Sequence, residues 1–117
     1  MNKRIQNWID CIRSNDPNRV TELYDEHALL LGTFSDIERQ GPKLIYDYFN
    51  GLLSSKIDVE IISEQTHNFD NLEVCSGLYN FMVNGKTIEA RYSFVFIRLS
   101  DNWKILSHHS SVLPKNS

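Results

Sequence analysis

The chain has 117 residues, of which 41% are hydrophobic and 23% charged, and its net charge is −3 at neutral pH. That length suits a single domain spanning residues 1–117, and the composition is that of a globular protein rather than a disordered tail. The acidic balance leaves no basic footprint for phosphate backbones, so nucleic acid is not expected as a partner. No run approaches the roughly 20 apolar residues that span a bilayer, and no apolar stretch follows Lys3 and Arg4 as it would in a secretory signal. A cytoplasmic domain with no membrane partner is therefore expected. Cys11 and Cys75 have neither the number nor the spacing of a disulfide framework or a zinc site.

Ile5, Trp8, Ile9 and Ile12 recur at the spacing of an amphipathic helix, which should end near Ser14. Asp16 then caps a shorter helix with Pro17 at its first position and Val20, Leu23 and Tyr24 facing inward. His27 to Leu31 reads as a short strand. Gly41-Pro42 opens a third helix, whose apolar stripe is Leu44, Ile45, Tyr48, Phe49, Leu52 and Leu53.

Beyond Ser55 the period changes to two. Ile57, Val59 and Ile61 mark a half-buried strand, and Leu72 to Val83 a second. Asn84-Gly85 is a type I′ hairpin signal, after which Lys86 to Leu99 returns. Ser100-Asp101-Asn102 turns the chain into a last strand, Trp103 to Ser111. Helices ahead of a four-strand meander predict an α+β fold, with the helices covering one face of a curved antiparallel sheet.

Along Ala90 to Arg98, Tyr92, Phe94 and Phe96 point one way and Arg91, Ser93, Val95 and Ile97 the other. Both faces thus carry apolar side chains, whereas three helices suffice for one. A second subunit is expected to cover the other face through Tyr92, Phe94 and Phe96, giving a homodimer or a higher homo-oligomer.

No metal or nucleotide signature is present, and no cofactor is expected. The adjacent His108 and His109 point to opposite faces of a strand, which disfavours joint chelation of a metal. His27 and His67 read as surface or loop residues. On plain alternation His108 and Ser110 share one face with Leu106, and Trp103, Ile105, Ser107, His109 and Ser111 the other. Arg91 lies mid-strand, and a buried guanidinium must be paired. If the covered face is concave, Arg91, Tyr79, His108 and Ser110 converge beneath Tyr48 and Phe49, with Arg39 at the rim. Such a cavity would suit a small carboxylate or other anion. The alternative is that Arg91 pairs with Glu73 or Glu89 at a subunit contact.

The segments Leu23-Tyr24-Asp25-Glu26-His27-Ala28, Glu38-Arg39-Gln40-Gly41, Tyr48-Phe49, Gly77 to Phe81, Ala90-Arg91-Tyr92-Ser93-Phe94 and Trp103 to Ser111 resemble, in order, the SnoaL-like and nuclear transport factor 2-like superfamily. They are most similar to small bacterial relatives of the calcium/calmodulin-dependent protein kinase II association domain. The resemblance implies a cone-shaped, cystatin-like fold in which the sheet wraps a long helix, a pocket at the open end, and dimers that in some members build rings. In the kinase hub arginines line that pocket and small carboxylates enter it. Arg91 matches one of those arginines, while Tyr79 and Ser110 stand where two others are placed. Kinase activity and calmodulin binding belong to other segments and are not implied. Other relatives are isomerases, cyclases or dehydratases using an Asp–His or Asp–Arg pair, and no carboxylate here is aimed inward.

The expectation is an oligomeric domain that holds a small anionic molecule through Arg91, Tyr79, His108, Ser110 and Arg39, between Tyr48 and Phe49. Two alternatives stand beside it. One is an enzyme with His108 or His109 as general base and Tyr79 or Arg91 polarising a carbonyl. The other is a purely structural oligomerisation hub.

Overall fold

The side-chain oxygen of Asn2 accepts from the backbone N–H groups of Arg4 and Ile5 at 2.8 and 3.2 Å and so opens the first helix. In the computed structural model, which describes residues 1–115, α1 (Lys3–Arg13) buries Ile5, Trp8, Ile9, Cys11 and Ile12. Asp16 caps α2 (Pro17–Thr21) through the Asn18 N–H at 2.9 Å, and Val20 is its one buried residue. This helix stops before Leu23 and Tyr24. The Leu23 carbonyl accepts instead from the Ile105 N–H at 2.8 Å, and Tyr24 begins β1 (Tyr24–Leu31). Sheet pairing thus overrides the helical spacing, although Tyr24 still points inward.

The remaining elements are β2 (Arg39–Gln40), α3 (Pro42–Leu52), β3 (Ile57–Ile61), β4 (Gln65–Asn68), β5 (Leu72–Val83), β6 (Lys86–Leu99) and β7 (Asn102–Val112). Asn84 and Gly85 both have positive φ, 51° and 79°, as a type I′ turn requires. The strands β2 and β4 leave no trace in the sequence pattern. One has two residues, and the other exposes all four of its side chains, so neither shows alternation.

The seven-stranded sheet runs β2-β1-β7-β6-β5-β3, with β4 pairing the other end of β5. The meander β5–β6–β7 is antiparallel, whereas β1 joins β7 in parallel. All three helices contribute to one core with the inner face of this sheet.

That core settles which face of β6 is which. Ala90, Tyr92, Phe94 and Phe96 are at most 3% exposed, whereas Arg91 and Ser93 are exposed and Val95 and Ile97 half-buried. Tyr92, Phe94 and Phe96 therefore cannot form a subunit contact. They are the floor on which the helices sit, because the most apolar face of the strand gains most from burial. A bulge corrects the last strand as well. Val95 pairs with Ser107 but Phe96 with Ile105, so Leu106 is an extra residue. Ile105 thereby shares the inner face with His108 and Ser110 instead of opposing them.

Candidate functional site

Aromatic rings lining the inner face of the sheet leave little place for polar groups; Glu73 is buried at one end against Arg4, and the polar groups around His108 and Ser110 form one chain. The Trp8 indole N–H donates to the Tyr24 hydroxyl at 3.1 Å. That hydroxyl meets His108 Nδ1 at 2.8 Å, and His108 Nε2 meets the Tyr79 hydroxyl at 3.2 Å. Tyr79 donates to Ser110 Oγ, which in turn contacts Thr33 Oγ1.

The Tyr79 hydroxyl gives its one proton to Ser110, so its oxygen accepts from His108 Nε2–H, and the neutral ring accepts at Nδ1. Tyr24 accepts from Trp8 and gives its own proton to Nδ1. His108 is then the Nε2–H tautomer and donates to Tyr79, and Tyr79 to Ser110; between Ser110 and Thr33 either hydroxyl can donate. The chain leaves no buried side-chain nitrogen or oxygen without a partner among the described residues.

Burial, reinforced by the neighbouring His109, lowers the His108 pKa to about 3, so the ring is neutral. Burial also pushes the hydroxyls of Tyr24 and Tyr79 well above the ordinary tyrosine value and that of Tyr48 up to about 12. The arrangement is a neutral hydrogen-bonded array, not a charged one.

The cone is filled. Trp8, Tyr48 and Phe49 occupy its interior, and the space they leave beside His108 and Ser110 is about 10 Å³, at the lower limit for one water. Its lining includes no carboxylate. Tyr48 lies so close to Gly32 that a Cβ there would be 2.5 Å from the ring. The Phe34 N–H reaches the Tyr48 hydroxyl at 3.4 Å, and the Phe34 ring meets Phe81 edge-on with centroids 5.2 Å apart. At this rim Arg39 donates to Ser35 Oγ at 3.1 Å, its guanidinium carbon 5.9 Å from the Tyr48 centroid.

The expected site residues therefore divide. Tyr79, His108, Ser110, Tyr48 and Phe49 come together inside, with Arg39 at the rim. Arg91 does not join them. Both its neighbours, Ala90 and Tyr92, point inward, so alternation sends the guanidinium out. On the outer face it is in register with Leu78 and Ser111. There it lines a depression of about 210 Å³ together with Ser93, His109 and Ser111. Glu73, a candidate partner for Arg91, is instead 2.6 Å from Arg4. His27 and His67 are exposed.

Sequence reasoning missed Tyr24 and Thr33 as members of the polar array and saw Trp8 only as core. A buried indole needs an acceptor, which is the one signal that points to Tyr24. Nothing local singles out Thr33.

The sequence profile described as the calcium/calmodulin dependent protein kinase II association domain matches residues 1–114. A protein from Xanthomonas campestris that carries the name of that association domain is 30% identical. The match covers 96% of this chain and 84% of that one, with a TM-score of 0.90. Two further structures show the fold at greater distance. A nuclear transport factor 2-like protein of unknown function from Pseudomonas putida is 13% identical over 93% of this chain and 81% of that one, with a TM-score of 0.84. A protein from Parabacteroides distasonis named as a ketosteroid isomerase is 22% identical over 93% and 84%, with a TM-score of 0.80. None of the curated proteins matches the chain at a significant level. The helices-first order, the curved open sheet and the full-length match agree: this chain belongs to the calcium/calmodulin dependent protein kinase II association domain family, on a nuclear transport factor 2-like, cystatin-like fold.

Proposed function

We propose that the domain is a homo-oligomerisation module whose copies meet through the outer face of the sheet. The observation that carries this reading is the contrast between the two faces. The inner one is sealed by helices around a filled cone. The outer one leaves Leu29, Leu31, Val74, Leu78, Val95 and Ile97 only half-buried, while the buried residues of all three helices pack into the core on the other side. An apolar face of this kind marks an interface.

The charges on that face suit a second copy. Arg91 stands in one cross-strand row with Leu78 and Ser111, while Glu60, Asn80 and Glu89 form the next. A two-fold contact brings the same patch against itself. With the axis through the Arg91 row, two copies bring their Arg91 side chains together; with the axis between the rows, each Arg91 meets the acidic row of its partner. The family's name, an association domain, is in keeping with this.

Light scattering on the eluting peak of a sizing column tests the reading. A mass of twice 13.6 kDa or a higher multiple supports it, and 13.6 kDa at micromolar concentration overturns it.

The polar array supports a second reading, a small-molecule site in the cone. It ends on the Thr33 hydroxyl, one residue before Phe34, so a ligand displacing the Phe34 and Tyr48 rings would meet a hydroxyl there. Arg39 is the cation beside that mouth. A carboxylate would therefore pair with Arg39, and thermal stabilisation by small carboxylates that vanishes in Arg39→Ala would support this reading. Acid–base catalysis is less well served. A histidine with a pKa of about 3 is a weak base, and His109 lies on the opposite face.

A further inference from the structure

Four of the side chains that line the depression around Arg91 can donate hydrogen bonds. Arg91 and Ser111 face each other across β6 and β7, and Ser93 and His109 form the adjacent pair. The Ser93 hydroxyl is further steadied by Ser76 Oγ at 2.8 Å. Directly opposed strand residues have Cβ atoms roughly 5 Å apart, so these four side chains border one small area. They border an open depression of about 210 Å³, and no carboxylate lines it. The four ion pairs among the described residues leave Arg91 out.

A guanidinium, an imidazole and two hydroxyls around a concavity of this size match the acceptor oxygens of an oxyanion. We infer that the outer face holds a small oxyanion, of the phosphate, sulfate or carboxylate class, between Arg91, Ser93, His109 and Ser111. The inference deepens the self-association reading and rests on it for one consequence. Where two copies meet on this face, two Arg91 side chains leave water, and an uncompensated buried charge is strongly unfavourable. An oxyanion bound there supplies the compensation, so anion binding and pairing strengthen each other.

Sedimentation equilibrium in sodium sulfate and in sodium chloride at matched ionic strength tests the inference, on the wild type, Arg91→Gln and Glu89→Gln. The expected result is a dimer dissociation constant about fivefold or more lower in sulfate for the wild type and Glu89→Gln, and equal in the two salts for Arg91→Gln. Equal constants for the wild type, or an undiminished sulfate effect in Arg91→Gln, would overturn it. So would a sulfate effect that appears only in Glu89→Gln, which would make the partner copy's carboxylate the ligand of Arg91. A wild type that is monomeric in both salts refutes the pairing and leaves the site to calorimetry. Sulfate binding to the monomer that is lost in Arg91→Gln then upholds the site, and no heat beyond that of chloride refutes it.

Discussion

Phe94 and His108 stand opposite each other on β6 and β7, their rings stacked 3.9 Å between centroids and 17° from parallel. The imidazole is thus roofed by an apolar ring while its two nitrogens are engaged by Tyr24 and Tyr79. Burial, with the neighbouring His109, favours the neutral ring, and this gives the fold a pH dependence of known sign.

In the unfolded chain a histidine titrates near pH 6.5, whereas in the fold His108 does so only at about 3. Between those values the unfolded state binds the extra proton, so stability falls as the pH falls through this window. One such group contributes a slope of up to about 1.4 kcal/mol per pH unit. Urea unfolding of the wild type and His108→Gln from pH 7 to pH 3 should give curves that converge as the pH drops. Parallel curves would show that the ring is not held neutral.

Tyr48 closes the cone because Gly32 makes room for it. Gly32→Ala would place a Cβ 2.5 Å from the Tyr48 ring, and overpacking of this kind costs about 1–3 kcal/mol. Tyr48→Ala removes the obstacle at its own cost in lost packing. In thermal or chemical unfolding the double variant should lose less than the sum of the single losses, since the two residues share one space. Additive losses would separate them.

The buried Glu73 is matched by Arg4, whose Nε and Nη2 donate to its two oxygens at 3.2 and 2.6 Å. The same guanidinium lies 4.0 Å from the Trp103 centroid. Arg4→Met leaves an acid that is 4% exposed without its cation and should cost about 3 kcal/mol. Adding Glu73→Leu should recover much of this, because a buried pair exchanged for apolar groups is often neutral. Failure of the second change to recover any stability in urea unfolding would contradict this account of the pair.

The architecture was legible because its signals are local. The spacing of Ile5, Trp8, Ile9 and Ile12, the Asp16-Pro17 cap and the Asn84-Gly85 turn each act within a few residues. The site was legible only in part. Periodicity separates Arg91 from Tyr92 but does not say which of the two faces meets the helices; that depends on the summed burial of the whole strand. The bulge at Leu106 moves Ile105 to the side of His108, and no residue in Trp103 to Ser111 announces it. Thr33 reaches Ser110 from 77 positions away, a contact made by the fold rather than by spacing.

The central claim is that one face of β6 is core and the other meets a second copy, and two adjacent residues test it most directly. Sedimentation velocity with near-ultraviolet circular dichroism on Val95→Glu should find a folded monomer, because this charge falls on the outer face alone. Phe94→Glu, one position earlier, should lose the native spectrum. A Val95→Glu protein that remains associated, or a folded Phe94→Glu protein that comes apart, would contradict the assignment of the two faces.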